Sequence, residues 1–189
     1  FAFHPLTLED CRHFNQRSKL EEYDGYLFIS MTLPKHSPDK RDVLLDEIQI
    51  FLGKNYLVTV HNAPLPALDL TPTLYTKETE PAKKQADFLF YHLADVLVDG
   101  YFPLMDEMDD EIDDLEDQVL QNATQDTLHR IFALKQQLVQ LRKVAGPLRD
   151  AMNALAGRSY AQINSASALY FRNIYDHLTR IYEIIETSR

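Results

Sequence analysis

The first 62 residues alternate short apolar stretches with turn-forming residues. Residues 26–33 are aromatic and β-branched, which is typical of a buried strand, and Pro34 is expected to end that strand. Residues 43–62 alternate around a "GKN" turn, which predicts a hairpin. Its two faces are predicted to carry Leu44, Ile48, Ile50 and Leu52 on one side, and Glu47 and Gln49 on the other. A short helix with Pro5 in its first turn precedes these strands.

Beyond residue 80 the apolar period becomes that of helices. A first helix is predicted over residues 82–100, and Gly100 with Pro103 indicates a bend or a fresh helix start. A second helix follows and is interrupted by "QNATQD", where Thr124 is the expected N-cap of the next helix. The predicted inward positions of these two helices are Phe88, Leu89, Leu93, Val96 and Leu97, then Met105, Met108, Ile112, Leu115 and Val119.

The helix after Thr124 has an apolar period near 3.5 residues, so it should pair with the preceding helix as an antiparallel hairpin with a coiled-coil seam. Pro147 is expected to kink it, because the proline ring removes a backbone hydrogen bond, and Gly157 is expected to end it. Its predicted seam positions are Ile131, Leu134, Leu138, Leu141, Ala145, Leu148, Met152 and Leu155.

A last helix is predicted from about Tyr160 onward. Its apolar stripe keeps its three–four spacing through the final residues, with no Gly, Asn or Pro to end the helix. The stripe consists of Phe171, Ile174, Leu178, Ile181 and Ile185. These patterns predict an α+β fold: a small, mostly antiparallel sheet with flanking short helices, then a long helical hairpin and a long C-terminal helix. At about 45–50 Å each, the long helices should project from the sheet.

The charge of the chain is concentrated in one helix. Residues 106–117 hold nine carboxylates and no basic residue. The whole chain has a net charge of −10, and outside this stretch it contains 20 acidic and 19 basic residues. The negative electrostatic potential of this stretch repels nucleic acid, which argues against a nucleic-acid partner. The simplest interpretation of this helix is a solvated outer face; compensation by hydrated divalent cations or by a basic surface is the alternative.

No enzyme signature is found. The seven histidines form neither H-E-x-x-H nor a Cys/His zinc spacing, and no Glu has a His three residues later, as a di-iron bundle would need. There is no glycine-rich phosphate loop and no G-x-S-x-G elbow. Cys11 lies near His13, which could suggest a thiol nucleophile, but such proximity in sequence is common by chance. Because Cys11 is the one cysteine of the sequence, an internal disulfide is excluded. The chain is therefore predicted not to be an enzyme.

Five segments carry a resemblance to a known family. The segments "LVDGYFPLMDEMDDEIDDLEDQVL", "LKQQLVQLRKVAGPLRDAMNAL" and "YFRNIYDHLTRIYEIIET" resemble the cytoplasmic part of CorA-type magnesium transporters, and "HPLTLED" and "IQIFLGKNYLVTVHN" resemble that family's N-terminal α/β layer. The resemblance implies three regions: a layer over residues 1–80, truncated at its start; a helix and acidic hairpin over 81–157; and a stalk helix over 158–189. The stalk would lead into a transmembrane segment that lies outside this sequence.

The resemblance also implies a regulatory site. In that family the domain senses Mg²⁺ between subunits through an acidic pair, a helix Asp and a stalk Asp. Carried onto this sequence, the metal-binding residues would be Glu9, Asp10, Asp95 and Asn173. Asn173 departs from the family's Asp, so a site built on it should bind a divalent ion more weakly or be absent.

The implied function is that of the cytoplasmic regulatory domain of a transporter of Mg²⁺, with Co²⁺ as a further candidate ion. Such a protein would be a homopentamer at the cytoplasmic face of the inner membrane, with Mg²⁺ as its regulatory ion. Two alternatives stay open: the equivalent domain of a zinc-transporting relative, and a soluble helical interaction module with no membrane attachment.

Overall fold

The computed structural model describes residues 1–14, 16–37, 42–77, 80 and 85–188. Its elements in chain order are α1 Pro5–Asp10, β1 Lys19–Tyr23, β2 Tyr26–His36, β3 Val43–Gly53, β4 Leu57–His61, α2 Pro66–Lys77, α3 Ala86–Asp99, α4 Tyr101–Asn122, α5 Gln125–Gly157 and α6 Ser165–Thr187. The α+β prediction, with a sheet followed by a long hairpin and a long last helix, is confirmed.

The four strands form one antiparallel sheet in sequence order, β1-β2-β3-β4. The prediction that β2 ends at Pro34 is wrong, because pairing with β3 continues through Pro34↔Leu45 to His36↔Val43. The proline is tolerated because β1 pairs only with the first five residues of β2, up to Ser30. Beyond Ser30 one edge of β2 pairs with no strand of the described residues, and a proline costs little at such an edge.

Both faces of the sheet are buried. One face packs against the helices through Leu27, Ile29, Met31, Ile48, Ile50 and Leu52. For Ile48, Ile50 and Leu52 this confirms the face that the hairpin alternation predicted. Leu44, at the start of β3, is the exception and is 42% exposed. The other face packs Tyr26, Phe28 and Phe51 against Phe3, Cys11 and neighbouring aromatic side chains. Glu47 and Gln49 lie on this second face and are buried as well.

Two elements were missing from the prediction. Strand β1 is a five-residue edge strand, "KLEEY", whose charged composition hides its strand character. Helix α2 occupies a stretch assigned to a connection, with Pro66 as its first residue and Pro72 inside it. Proline fits the first turn of a helix but is unfavourable in its interior, so the sequence around Pro72 resembles a loop.

The long hairpin follows the predicted pattern closely. Gly100 separates α3 from α4, and Thr124 caps α5 through a capping box with Thr127. Helix α5 runs without interruption past Pro147 and ends at Gly157. The predicted seam is buried over most of its length, whereas Val119 and Ile131 near the hairpin turn are 46% and 36% exposed.

Helix α6 begins at Ser165, five residues later than predicted, because the Asn164 side chain caps it by accepting a hydrogen bond from Ala166 N. All five residues of its predicted apolar stripe are fully buried. The Arg149 guanidinium carbon lies 4.5 Å from the centroid of the Tyr182 ring, and Arg142 Nε lies 2.6 Å from Glu186 Oε1. Because the earlier residue of α5 contacts the later residue of α6, the two helices run antiparallel. None of the described helices is long and apolar enough to cross a lipid bilayer.

Candidate metal site

Helices α3 and α6 pack side by side in parallel. At their N-terminal ends, Asp87 Oδ2 accepts hydrogen bonds from Asn164 N at 2.8 Å and from Ser167 Oγ at 2.6 Å. At the other end, Asp99 lies opposite His177. Residue 87 contacts residue 164 and residue 99 contacts residue 177, so the difference in residue number between contacting positions is almost constant along the two helices. This register places Asp95 and Asp99 of α3 beside the middle of α6.

The register assembles a cluster of three potential metal ligands. One ligand atom from each of Asp95, Asp99 and His177 lies within 4.8 Å of the corresponding atoms of the other two. His177 Nδ1 is 3.5 Å from Asp99 Oδ1. The cluster is partly open to solvent, since the Asp99 side chain is 56% exposed and the His177 side chain 34%.

Asp95 is the least solvated carboxylate of the cluster. Burial raises the pKa of Asp95 above its ordinary value, the nearby Asp99 charge raises it further, and His177 opposes both effects. Tyr91 Oη donates a long hydrogen bond of 3.5 Å to Asp95 Oδ2. Burial, followed by the Asp95 charge, raises the pKa of Tyr91 to about 12, so this hydroxyl stays protonated at neutral pH. The cluster thus holds negative charge at a free-energy cost that a cation would offset.

Two of the ligand atoms make no hydrogen bond with any described residue, although His177 Nδ1 lies 3.5 Å from Asp99 Oδ1. Asp95 Oδ1 and His177 Nδ1 are both buried, and neither has a hydrogen-bond partner among the residues that the structure describes. The edge-to-face contact between the His177 and Phe102 rings, with centroids 5.8 Å apart, fixes one side of the imidazole. Buried polar atoms are normally satisfied. The donor set, two carboxylates and one imidazole, therefore fits a small divalent cation.

The four residues implied by the family resemblance do not gather in one protomer. Of the four, Asp95 alone belongs to the cluster of described residues. Asp10 is paired with Lys19 at 2.7 Å, whereas Glu9 is exposed at the end of α1. Asn173 is exposed one turn before His177 on α6. Whether these residues bind a metal together therefore stays a prediction.

Asp99 and His177 were not predicted from the sequence as residues of the site. Asp95 and Asp99 are four residues apart, which places both on one helix face, and that spacing was the one available indication. His177 follows Asp99 by 78 residues, and only the packing of α3 against α6 brings the two together.

The acidic stretch of α4 forms no such cluster among the described residues. Eight of its nine carboxylates are exposed. The exception, Glu111, is half-buried and pairs with Arg130 at 3.4 Å, while Glu107 lies 3.1 Å from His36 Nε2. This arrangement favours the simpler interpretation of the stretch as a solvated outer face.

Comparison with known proteins gives consistent results. The family model described as CorA-like Mg²⁺ transporter protein matches residues 1–189. The chain is 34% identical over 190 residues to the cobalt/magnesium transport protein CorA of Thermotoga maritima, an alignment that covers 100% of this chain and 54% of that protein. The chain spans about half the length of the curated relatives that it matches over its whole length.

Solved structures of other proteins share the fold, and two of them illustrate the likeness. The soluble domain of CorA from Methanocaldococcus jannaschii superposes with a TM-score of 0.79 at 19% identity, covering 92% of this chain and 69% of that one. The ZntB cytoplasmic domain from Vibrio parahaemolyticus superposes with a TM-score of 0.72 at 17% identity, covering 99% of this chain and 73% of that one. At these identities the likeness concerns the fold alone.

Proposed function

The chain belongs to the CorA-like Mg²⁺ transporter family, and from this premise we propose that it is the regulatory domain of a divalent-metal transporter. In this proposal the domain senses Mg²⁺ on the cytoplasmic side of the membrane and controls a pore formed by a part of the protein outside this sequence. The observation that carries the proposal is the position of Asp95: a half-buried carboxylate beside α6, the helix that would connect the domain to the pore.

A cation at Asp95 would act on the relation between helices. Asp95 lies on α3 and its nearest ligand neighbour outside that helix lies on α6, so an ion bound there changes the free energy of their packing. A ligand shifts a conformational equilibrium only by its difference in affinity for the two states. Mg²⁺ would favour the closed state if the carboxylates are closer together in that state than in the open one.

The regulatory ion is proposed to bind between neighbouring copies in a homopentamer. Glu9, Asp10 and Asn173 are at least partly exposed in the single protomer, so all three are available to a neighbouring subunit. Asn173 offers an oxygen ligand without a charge, which should weaken the site relative to a carboxylate. Mg²⁺ keeps most of its water in such sites and needs few protein ligands.

Thermal unfolding of the full-length protein tests the sensing role. Mg²⁺ is titrated against a KCl series of matched ionic strength, and unfolding of this domain is followed by circular dichroism. Occupancy at one hundred times the dissociation constant should stabilise the folded state by about 2.7 kcal/mol per site. An unfolding temperature that millimolar Mg²⁺ raises no more than KCl does would refute the sensing role.

Variants assign the effect to the predicted residues. The double variant Asp10→Asn/Asp95→Asn should lose most of the Mg²⁺-specific stabilisation. Asp117→Asn, which removes an exposed carboxylate on α4, should retain it. Equal Mg²⁺ responses of the two variants would rule out Asp10 and Asp95 as the sensing residues.

The equivalent domain of a zinc-transporting relative is the second candidate. The presence of His177 in the cluster favours it, since imidazole is a better ligand for Zn²⁺ than for Mg²⁺. The same titration with Zn²⁺ in place of Mg²⁺ separates the two, because a zinc-regulated domain should respond at much lower ion concentrations.

A further inference from the structure

We propose that Lys19 is a built-in competitor of the regulatory cation: its ammonium group occupies the carboxylate of Asp10, and a divalent ion binds there only when the ammonium group moves away. The inference rests on the proposed regulatory role of Asp10 and adds what controls the ion concentration at which the domain responds. Asp10 is the last residue of α1 and Lys19 is the first residue of β1, so their contact joins the helix to the edge of the sheet.

The ammonium group of Lys19 lies between two carboxylates. Lys19 Nζ donates hydrogen bonds to Asp10 Oδ2 at 2.7 Å and to Glu21 Oε1 at 3.0 Å. Alternate residues of a strand share one face, so Lys19, Glu21 and Tyr23 project from the same side of β1. Tyr23 Oη donates a hydrogen bond of 3.1 Å to the other oxygen of Glu21, which holds this carboxylate beside the lysine.

The aromatic ring of Phe28 faces the same ammonium group. Lys19 Nζ is 5.5 Å from the centroid of this ring, a separation at which the ring face attracts a cation. Phe28 is fully buried and pairs with Glu21 in the β1–β2 ladder, so the ring is a fixed part of the sheet. Two carboxylates and a ring face therefore form a cation-binding position, and the chain supplies the cation itself.

A divalent ion and the Lys19 ammonium group cannot both lie against Asp10 Oδ2. Burial lowers the pKa of Lys19, but its hydrogen bonds to Asp10 and Glu21 and their charges together raise it above the ordinary value, so the group is charged at neutral pH. Two cations at one carboxylate oxygen repel each other. The Lys19 side chain is 30% exposed and lysine has a long flexible side chain, so the ammonium group can move into solvent when an ion binds.

Departure of the ammonium group would leave two carboxylates close together. Asp10 Oδ2 and Glu21 Oε1 lie 2.7 Å and 3.0 Å from the same nitrogen, so the two oxygen atoms are less than 6 Å apart. Neighbouring carboxylates repel each other without a cation, and Mg²⁺ that keeps most of its water binds through one or two of them. Lys19 therefore opposes ion binding at Asp10, and its ion pairs raise the ion concentration that the domain needs.

Mg²⁺ titration of Lys19→Gln in the full-length protein tests the proposal. Thermal unfolding of this domain is followed by circular dichroism as Mg²⁺ rises, against a KCl series of matched ionic strength. The control Lys54→Gln removes the same charge from an exposed lysine in the turn between β3 and β4. Half of the Mg²⁺-specific stabilisation should be reached in Lys19→Gln at a concentration at least about threefold below that of wild type. Lys54→Gln should reach it at the wild-type concentration.

A second set of variants assigns the gain to the Asp10 carboxylate. Lys19→Gln/Asp10→Asn should lose the gain in Mg²⁺ response that Lys19→Gln shows. A lysine that serves only to hold α1 against β1 gives the opposite sign, because its loss would leave the response unchanged or weaken it. Lys19→Met, which keeps the aliphatic part of the side chain against Phe28, repeats the measurement if Lys19→Gln does not fold.

Three results would overturn the proposal. These are a Lys19→Gln response at or above the wild-type concentration, a Lys54→Gln shift as large as that of Lys19→Gln, or a gain that survives Asp10→Asn. If wild type responds to Mg²⁺ and Lys19→Gln responds at the same concentration, the competitor role fails and Mg²⁺ sensing stands. If Lys19→Gln responds and wild type does not, sensing by the natural protein fails and the competitor role stands. If neither protein responds, both fail.

Discussion

Asp87 and Ser167 are joined by a 2.6 Å hydrogen bond across 80 residues of sequence. The Asp87 carboxylate is buried; the same Oδ2 atom also accepts from Asn164 N, while its Oδ1 accepts from Phe88 N. This one side chain thus connects the first turn of α3 to the first turn of α6. By fixing the register of the two helices, it determines that Asp95 and Asp99 meet His177.

Removing this connection should destabilise the protein strongly. Asp87→Ala leaves the half-buried Asn164 amide and the buried Ser167 hydroxyl without their acceptor, and we expect a loss of about 3 kcal/mol in the free energy of unfolding. Asp117→Ala, the same substitution at an exposed position of α4, should change it by less than about 0.5 kcal/mol. Urea unfolding of both variants measures the difference, and equal midpoints would show that Asp87 does not anchor α6.

Neutralising Asp95 should stabilise the metal-free protein. Its pKa is raised in the folded state, so at pH values above that pKa the folded protein holds a carboxylate that the unfolded chain would solvate better. Stability therefore falls as pH rises from the ordinary pKa of an aspartate to the raised pKa of Asp95 in the folded state, and Asp95→Asn removes this fall. Since the side chain is partly solvated, we expect a gain of at most about 1 kcal/mol near pH 7.

The same variant should bind divalent ions more weakly, because the amide lacks the charge. Melting curves at pH 4 and pH 7, with and without metal, show both effects. A variant less stable than wild type at pH 7 without metal would mean that Asp95 contributes to stability through favourable contacts rather than being strained by desolvation.

The apolar stripe of α6 should carry much of the stability of the helical half. Leu178 is fully buried and Leu169, on the same helix, is 72% exposed. Leu178→Ala should cost about 3 kcal/mol through lost burial and a residual cavity, whereas Leu169→Ala should cost less than about 0.5 kcal/mol. Chemical denaturation of the pair compares one substitution in two environments. Similar losses at both sites would contradict the packing of α6 against α5 and α3.

Tyr101 ties α4 to the sheet and should make the protein sensitive to alkali. Its hydroxyl is fully buried and donates a 2.7 Å hydrogen bond to the Thr32 carbonyl oxygen. Tyr101→Phe should lose about 1–2 kcal/mol at neutral pH, because the carbonyl oxygen loses its donor. Thermal unfolding of the two proteins at pH 7 measures this cost.

The pH dependence of the Tyr101→Phe variant has a definite sign. Burial raises the pKa of Tyr101 far above its ordinary value, so above about pH 10 only the unfolded chain releases this proton. Wild type should therefore lose stability as pH rises beyond about 10, and Tyr101→Phe should lose less over the same range. Parallel pH profiles for the two proteins would contradict the buried, protonated hydroxyl.

The sequence was sufficient for elements whose pattern is local. The α6 stripe repeats with a helical period, and every one of its residues is buried as that period predicts. Strand β1 and helix α2 were missed because charged residues and Pro72 obscure their patterns, and tertiary contacts decide their structure instead. The end of β2 was placed too early because the absence of a neighbouring strand at Pro34 is not visible in the sequence.

The candidate site could be predicted only in part. Asp95 was named through the family resemblance, while Asp99 and His177 carry no motif that links them. Their proximity depends on the parallel packing of two helices and on Asp87, which sets its register. Such long-range geometry is absent from local periodicity, so the cluster emerges only from the folded chain.

Ion flux through the full-length protein in liposomes tests the central claim most directly. Mg²⁺ influx is followed with a fluorescent indicator while Mg²⁺ on the side of this domain is varied, in wild type and in Asp10→Asn/Asp95→Asn. The regulatory role predicts that Mg²⁺ on that side suppresses wild-type influx and suppresses the variant's influx much less. Influx that is insensitive to Mg²⁺ on the domain side, or suppressed equally in both proteins at equal driving force, would contradict it.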